Sequence, residues 1–395
     1  MPKARTPTRV AVTYRVCQHW RAHIFAKLNA RDDLSVSVLH GQSIPGTKCI
    51  NGDNLKGFSH REHFSIRVPF TKTWAVQPTI FSSLRELDPD VILAEGGSNL
   101  LTNFFVLLYA KLYSKPVVWW TLGELRGASY RGLVRGTYRK LVVFQERLCD
   151  VYLGYSTIAM EYFRKMGFAD EDCFLAVNCV DTNRVIQQIA IRHSQAEQLA
   201  EEIGVKGLKV ILFVGAFTQA KRIDRLIRVF ASIQSEVPDA VLVLVGDGSS
   251  KESIEKQISK LHLEEKVILT GSVVENVSDY YELGDVFVLP GLGGLAISEA
   301  MAHRMPVICT FADGCEVDYV VDDQTGYRLF SDDDSEVEEF LREKLLLVLS
   351  DDGLRERLSK TALSRIETVH NVDTYIQGIV DAIHYAENKS IEAES

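Results

Sequence analysis

The stretch Val288-Leu289-Pro290-Gly291-Leu292-Gly293-Gly294-Leu295-Ala296-Ile297-Ser298-Glu299-Ala300-Met301-Ala302, continued by Met305-Pro306-Val307-Ile308, reads as a buried strand, a glycine-rich loop, a helix and a second strand. Pro290 ends the first strand. Gly293 and Gly294 carry no side chain that would keep a phosphate from the backbone amides, and the helix starting near Ala296 directs its N-terminal dipole at the same place. Glu299 lies about one turn into that helix. A carboxylate there normally faces solvent or pairs with a base; beside a glycine loop it can instead accept hydrogen bonds from vicinal sugar hydroxyls, as acidic residues do for ribose in dinucleotide folds.

The same strand, loop, helix order recurs upstream. Val214-Gly215-Ala216-Phe217-Thr218-Gln219-Ala220-Lys221-Arg222-Ile223-Asp224 joins a strand to the helix Arg225 to Ile233. Lys221 and Arg222 can add cations to an anion site there, although a basic pair opening a helix also serves as a solvated face. Val245-Gly246-Asp247-Gly248 follows the next strand, as a structural turn or a ligand loop. Strands are expected at 210–214, 240–245, 267–269, 286–289 and 307–309 in the second half, and at 10–16, 36–39, 91–94, 117–120 and 151–155 in the first. β-branched runs alternating with longer helical patterns imply parallel α/β units. The break between halves falls near Asn178 to Asp181, and a polar helical stretch runs from Arg184 to Glu202. The acidic run Asp332 to Glu339 suits a helix N-terminus. A last helix, Asp373 to Glu387, carries an apolar face that needs covering.

The chain has 395 residues, 46% of them hydrophobic and 25% charged, enough for two cores and far from a disordered or disulfide-scaffold profile. Its formal net charge of −9 argues against a nucleic-acid partner. The seven cysteines form no C-x-x-C pair and read as reduced thiols of a cytoplasmic protein. The start, Met1 to Arg9, is basic, but the apolar run after it is too short for a signal peptide, and Phe104 to Tyr113 falls well short of the roughly 20 residues a bilayer span needs.

One local stretch runs against the acidic average. Between Arg126 and Arg147 there are six basic residues and one acid, Glu146. Arg131, Arg135 and Arg139 recur every four residues with Leu133, Val134, Tyr138, Leu141 and Val142 between them, the pattern of a basic amphipathic helix on an anionic membrane surface or of a solvated helix packed on its own core. Trp119-Trp120-Thr121-Leu122-Gly123-Glu124 ends a strand, with Glu124 the nearest proton acceptor.

The ordered set of Gly215 with Lys221 six residues on, the Val-Gly-Asp-Gly turn, the Gly-Leu-x-x-x-Glu-Ala-Met-Ala helix and the Pro-Val-Ile strand resembles family 4 glycosyltransferases of the GT-B fold, specifically over residues 208–330. The resemblance extends more loosely to Tyr14-Arg15, Trp20-Arg21, Leu39-His40-Gly41 and Asn178-Cys179-Val180-Asp181, pieces similar to bacterial surface-polysaccharide members. It implies two doubly wound Rossmann-like domains facing across a cleft: 1–180 binding the acceptor, 181–371 binding the nucleotide sugar, and 372–395 crossing back to the first. It makes Lys221 the cation on the donor diphosphate with Arg222 as helper, Glu299 the acceptor for the ribose hydroxyls, and Gly293, Gly294 and Leu295 suppliers of backbone contacts. Gly215 and Gly291 line the same donor site, and Gly271 to Val274 lies beside the base. Two positions depart from the common pattern: Gly291 stands where the family usually has a Glu contacting the donor sugar, and Ala216 where it usually has an Arg.

The expected activity is retaining, metal-independent transfer of a sugar from a UDP- or GDP-sugar, with no other cofactor, to a hydroxyl of a glycan or lipid-linked acceptor. Lys221, Glu299 and Glu124 are its candidate catalytic residues, and a peripheral position on an anionic membrane is implied. A nucleotide-sugar epimerase of the same fold and a non-catalytic glycan-assembly subunit are the alternatives.

Overall fold

The computed structural model describes residues 6–394 except 46, 48, 70, 72–73, 125–132 and 274. The chain divides into two compact units, one of Met1–Glu124, Ala128–Val177 and Asp373–Ser395, the other built on Asn178–Val372.

In the first unit the strands are β1 (Thr8–Tyr14), β2 (Leu34–Gly41), β3 (Ser59–His63), the short pair β4 (Ile66–Arg67) and β5 (Ala75–Val76), β6 (Val91–Glu95), β7 (Val117–Thr121), β8 (Val151–Gly154) and β9 (Cys173–Leu175). Seven of them form one sheet, ordered β3-β2-β1-β6-β7-β8-β9, with every pairing parallel. The helices are α1 (His19–Asn29), α2 (Ile80–Leu87), α3 (Leu100–Leu112), α4 (Leu133–Glu146) and α5 (Thr157–Lys165). Strands such as β6 and β7 are apolar nearly throughout because a parallel sheet buries both faces. β3 escapes a reading by hydrophobic pattern, since Ser-His-Arg-Glu-His has four exposed residues and lies at the sheet edge.

The C-terminal helix, Val372–Glu394, completes this unit from Asp373 onward. Tyr375, Ile379, Val380 and Ile383 are buried along it. Gly378 is where it comes closest to β9, since a Cβ there would lie 2.3 Å from the Leu175 carbonyl oxygen. Tyr375 accepts from Arg21 of α1, whose buried guanidinium also lies 4.8 Å from the centre of the Trp120 ring. Tyr14, Arg21 and Trp120 are therefore parts of a packed cation and aromatic core rather than open ligand contacts.

The second unit contains β10 (Lys209–Val214), β11 (Ala240–Val245), β12 (Val267–Gly271), β13 (Val286–Leu289), β14 (Val307–Cys309) and β15 (Gly326–Arg328), ordered β12-β11-β10-β13-β14-β15 and all parallel. Its helices are α6 (Thr182–Glu202), α7 (Ile223–Ile233), α8 (Lys251–Lys260), α9 (Val277–Tyr281), α10 (Leu295–Ala302), α11 (Glu316–Tyr319), α12 (Asp334–Ser350) and α13 (Asp352–Thr368). All six residues of β11, Ala-Val-Leu-Val-Leu-Val, are buried. Helix α7 seals the sheet with Ile223, Leu226, Ile227, Phe230 and Ile233. Asp333 caps α12 by accepting from the backbone N–H groups of Ser335 and Glu336, which is the use the acidic run finds. The strand order reverses between β10 and β13, so their loops flank a switch point at the carboxyl edge of the sheet, the usual place for a ligand in an open α/β sheet.

Candidate functional site

The loop after β10 is set by backbone contact with the loop after β11. Gly215 N–H donates to Val245 and Phe217 N–H to Asp247, each at 2.9 Å, while the Phe217 carbonyl accepts from Ser250 N–H at 2.9 Å. A Cβ on Gly246, whose φ is +149°, would lie 2.0 Å from the Gly215 carbonyl oxygen. The Val-Gly-Asp-Gly turn is thus a structural turn, its glycines making room for the neighbouring loop.

Beyond Phe217 a single 3-10 turn, Gln219–Lys221, carries the chain to α7. Lys221 points to the loop after β13: a Cβ on Gly293 would lie 2.3 Å from its Nζ. The backbone of the turn touches the same loop, with Leu292 N–H donating to the Ala220 carbonyl at 2.9 Å. Gly291 is pressed against the backbone of that turn, where a Cβ would meet the Ala220 oxygen at 2.5 Å and the Lys221 carbonyl carbon at 2.8 Å. Only glycine fits at 291 in this backbone.

Arg222 has a different set of partners. It adopts a left-handed conformation (φ +51°) and its guanidinium pairs with Asp334 at 2.6 Å and with Asp224 at 3.4 Å. The neighbouring Arg225 is buried, donates to the Pro290 carbonyl at 3.3 Å and shares Asp334. Arg222 and Arg225 hold the Asp334 carboxyl well below the usual carboxylate range. As placed, Arg222 ties α7 to the start of α12.

Glu299 is on the first turns of α10, behind Gly294, the N-cap residue, and Leu295, the first helical residue. Burial pushes its carboxyl up to about 7, opposed by the charge of Arg184 on α6 and by a hydrogen bond from Tyr281. Tyr281, fully buried at the end of α9, stacks on His303, which is fixed in turn by Glu282 at 2.7 Å. Glu299 is therefore aimed by a built surround and shifts between neutral and charged forms near neutral pH.

Sequence reasoning missed Arg184, Tyr281 and, most of all, Asp313. After β14 the chain turns so that the Asp313 carboxylate lies against Gly294, where a Cβ would be 2.0 Å from Oδ2 and 2.1 Å from Oδ1. Lys221 is close enough to favour its charge. The signal available was positional: a carboxylate within the first few residues after a strand of the same sheet edge. Of the other expected donor residues, Gly271 ends β12 with φ +75° and Val274 lies outside the described residues.

In the first unit, Glu124 is exposed and 3.8 Å from Arg139. The expected basic face of α4 divides. Arg131 lies outside the described residues and Arg135 is exposed. Arg139 turns inward: it is 3.9 Å from Glu146, a fully buried carboxylate, and stacks over the Tyr162 ring at 4.8 Å. Glu146 needs that cation because it is out of contact with water, and it also accepts from Trp119 and Tyr162. Arg139 therefore departs from the solvated face expected of it, whereas Arg135 keeps to it.

A different surface is exposed nearby. Helix α3 shows Phe104, Phe105, Leu108 and Leu112 to solvent, the last two at 52% and 64%. Gln145 of α4 donates to the Leu100 carbonyl at 2.8 Å, which brings the turn bearing Phe144, 53% exposed, to the start of that ridge. Lys111, Lys140 and Arg147 are exposed on the same two helices and their immediate continuation. Among the described residues no helix is long and apolar enough to cross a membrane.

Two Rossmann-like units, each built on a parallel main sheet, the second with a glycine, lysine and carboxylate site at its switch point, define a two-domain protein of the GT-B class. The fold matches Anabaena HepE solved with UDP and glucose (TM-score 0.71, 16% identity, 95% of this chain and 99% of that one) and a glycosyltransferase from Rickettsia africae (TM-score 0.73, 13% identity, 97% and 99%). Residues 195–365, within the second unit, match the family described as glycosyl transferases group 1. It is similar to the sulfoquinovosyl transferase SQD2 of Arabidopsis thaliana, 26% identical over 302 residues, which cover 74% of this chain and 56% of that protein. It is also similar to the N-acetyl-alpha-D-glucosaminyl L-malate synthase of Bacillus anthracis, 33% identical over 134 residues, 33% of this chain and 34% of that one. The chain thus spans about half or less of these two relatives.

Proposed function

We propose that the protein is a retaining glycosyltransferase that moves a sugar from a nucleotide diphosphate sugar to a hydroxyl of a glycan or lipid-linked acceptor. The observation that carries this reading is the convergence, at the switch point of the second sheet, of Lys221 on Gly293 with Glu299 one helical turn behind. Departure of a nucleoside diphosphate builds negative charge on its terminal phosphate while positive charge grows at the anomeric carbon. Lys221 meets the first need together with backbone amides at the start of α10, without calling on a metal. Glu299 takes the ribose hydroxyls as a carboxylate.

The acceptor falls to the first unit in this reading, with Glu124 as the group nearest to act on its hydroxyl. A lipid-linked acceptor requires a membrane-facing surface, which we assign to the α3 ridge in place of the α4 arginine stripe. An apolar ridge carrying cations and no exposed acid on its two helices is complementary to an anionic bilayer, each nearby cation contributing about 1 kcal/mol.

Calorimetric titration with UDP and with GDP tests the donor site, and binding of neither refutes it. Incubation with a panel of nucleotide sugars, read by mass spectrometry, separates the chemistry: transfer or donor hydrolysis supports a transferase, a donor converted to its epimer supports an epimerase, and binding without turnover supports a non-catalytic subunit.

A further inference from the structure

We propose that Asp313 is the residue that recognises the transferred sugar, its carboxylate accepting hydrogen bonds from hydroxyls of the hexose while Lys221 holds the diphosphate beside it. The inference rests on the donor-site reading given above and adds to it the group that distinguishes a nucleotide sugar from a bare nucleotide.

The argument begins with two consecutive glycines. A Cβ on Gly293 would fall 2.3 Å from the Lys221 ammonium, and a Cβ on Gly294 would fall 2.0 Å from the Asp313 carboxylate. Cation and anion are therefore seated on adjacent residues of one loop, brought there from two different strands, β10 and β14. A diphosphate bound at Lys221 has its sugar attached directly to the phosphate that lies there, so the ring's hydroxyls project about one sugar's width away, into the neighbourhood of Asp313.

Asp313 is suited to receive them. An ionised carboxylate offers about four acceptor positions, and here Oδ1 accepts from the Cys315 backbone N–H at 3.2 Å. Burial raises its pKa in spite of that bond, of further hydrogen bonds from the Cys315 thiol and its own backbone N–H, and of the Lys221 charge. Because the side chain is partly exposed, sugar hydroxyls can donate to its outward-facing oxygen lone pairs without adding charge.

The nearby alternatives are occupied. Position 291, across the loop, has no room for any side chain. Glu316 accepts from the Gly314 N–H at 2.7 Å and is buried. Glu299 lies farther along α10 with Tyr281 and Arg184. Asp313 is the remaining carboxylate of this loop cluster, among the described residues, that is both partly exposed and next to Lys221.

The test compares a nucleoside diphosphate with its sugar. UDP and GDP are titrated into wild type, D313A and D313N, followed by UDP-glucose, UDP-galactose and UDP-N-acetylglucosamine or GDP-mannose according to which nucleotide binds. D313A is expected to keep diphosphate affinity within about twofold, or to raise it by releasing Lys221, while the best nucleotide sugar weakens roughly tenfold, the loss of a hydrogen bond to a charged group. D313N, which keeps the shape and one acceptor oxygen, is expected to fall between. Equal weakening of diphosphate and nucleotide sugar would make Asp313 a positioning residue for Lys221, and unchanged affinity for both would remove it from the site; either result overturns the proposal. If wild type binds neither UDP nor GDP, the donor reading itself has failed. D313N, being isosteric, guards against loss of folding in D313A, and its thermal midpoint checks this directly.

Discussion

With its carboxyl near 7, Glu299 is about one tenth ionised at pH 6 and about nine tenths at pH 8 in the ligand-free protein. In the proposed role the charged form accepts from both ribose hydroxyls, and those bonds would lower its pKa in the complex. If the carboxylate is the binding-competent form, apparent affinity scales with the ionised fraction, so binding tightens about tenfold from pH 6 to pH 8, ~1.4 kcal/mol, and levels off above. The sign follows from ligand and proton competing for one group. UDP-glucose, or GDP-mannose if the guanosine series binds, is a better probe than UDP, because a terminal phosphate loses its second proton at about pH 6 and would add its own slope. Isothermal titration at pH 6, 7 and 8, in two buffers of different ionisation heat, reads both the affinity and the proton released. Glu299→Gln should bind more weakly at pH 8 and show no such slope. A flat profile for wild type, or the same slope in the glutamine variant, would refute the assignment of Glu299 to the ribose.

Further outcomes follow from the same geometry. Lys221→Ala should weaken UDP or GDP much more than the corresponding nucleoside; equal losses measured by calorimetry would count against a diphosphate contact. Tyr281→Phe removes the donor that favours the Glu299 charge, so the midpoint of the pH profile should move upward, and a downward move would contradict the hydrogen bond. Gly246→Ala, which sets a Cβ 2.0 Å from the Gly215 oxygen, should cost on the order of 3 kcal/mol, lowering the midpoint of thermal unfolding by roughly 6–12 °C in calorimetry. For the α3 ridge, sedimentation with vesicles rich in anionic lipid should recover wild type in the pellet and lose Leu108→Ser/Leu112→Ser, whereas Arg139→Gln should pellet as before; retention of the serine variant would remove the ridge as the contact surface.

The second sheet was legible because its strands are continuous runs of Val, Leu and Ile ended by Gly or Pro, and the switch-point loops announce themselves through glycine. The strand β11 matches its expected range, 240–245, since every residue in it is buried and none is ambiguous. β3 was not legible: an edge strand of five polar residues has no hydrophobic period to read. The hidden pairings share one cause. Arg139 looks like a surface cation in the chain, but its orientation is fixed by Glu146 from inside the core, and Arg222 is likewise tied by Asp334 from another helix, a pairing that the sequence does not show. Asp313 escaped for the opposite reason. Its importance comes from touching Gly294, nineteen positions earlier in the chain, and no local spacing encodes that contact.

The backbone contacts that run from the turn after β11 to the loop after β10, and on from Ala220 to Leu292, make three loops a single mechanical part. None can lengthen or tilt without dislodging the next, and glycine is required at two points of close approach, 246 and 291. The freedom to vary is left to side chains that abut that part from outside, such as Asp313 on the segment after β14, against Gly294. If the protein takes a nucleotide sugar as proposed, changing the sugar would be a matter of single side chains on a fixed frame, open to substitution one position at a time, whereas loop exchange from a relative would have to import all three segments together.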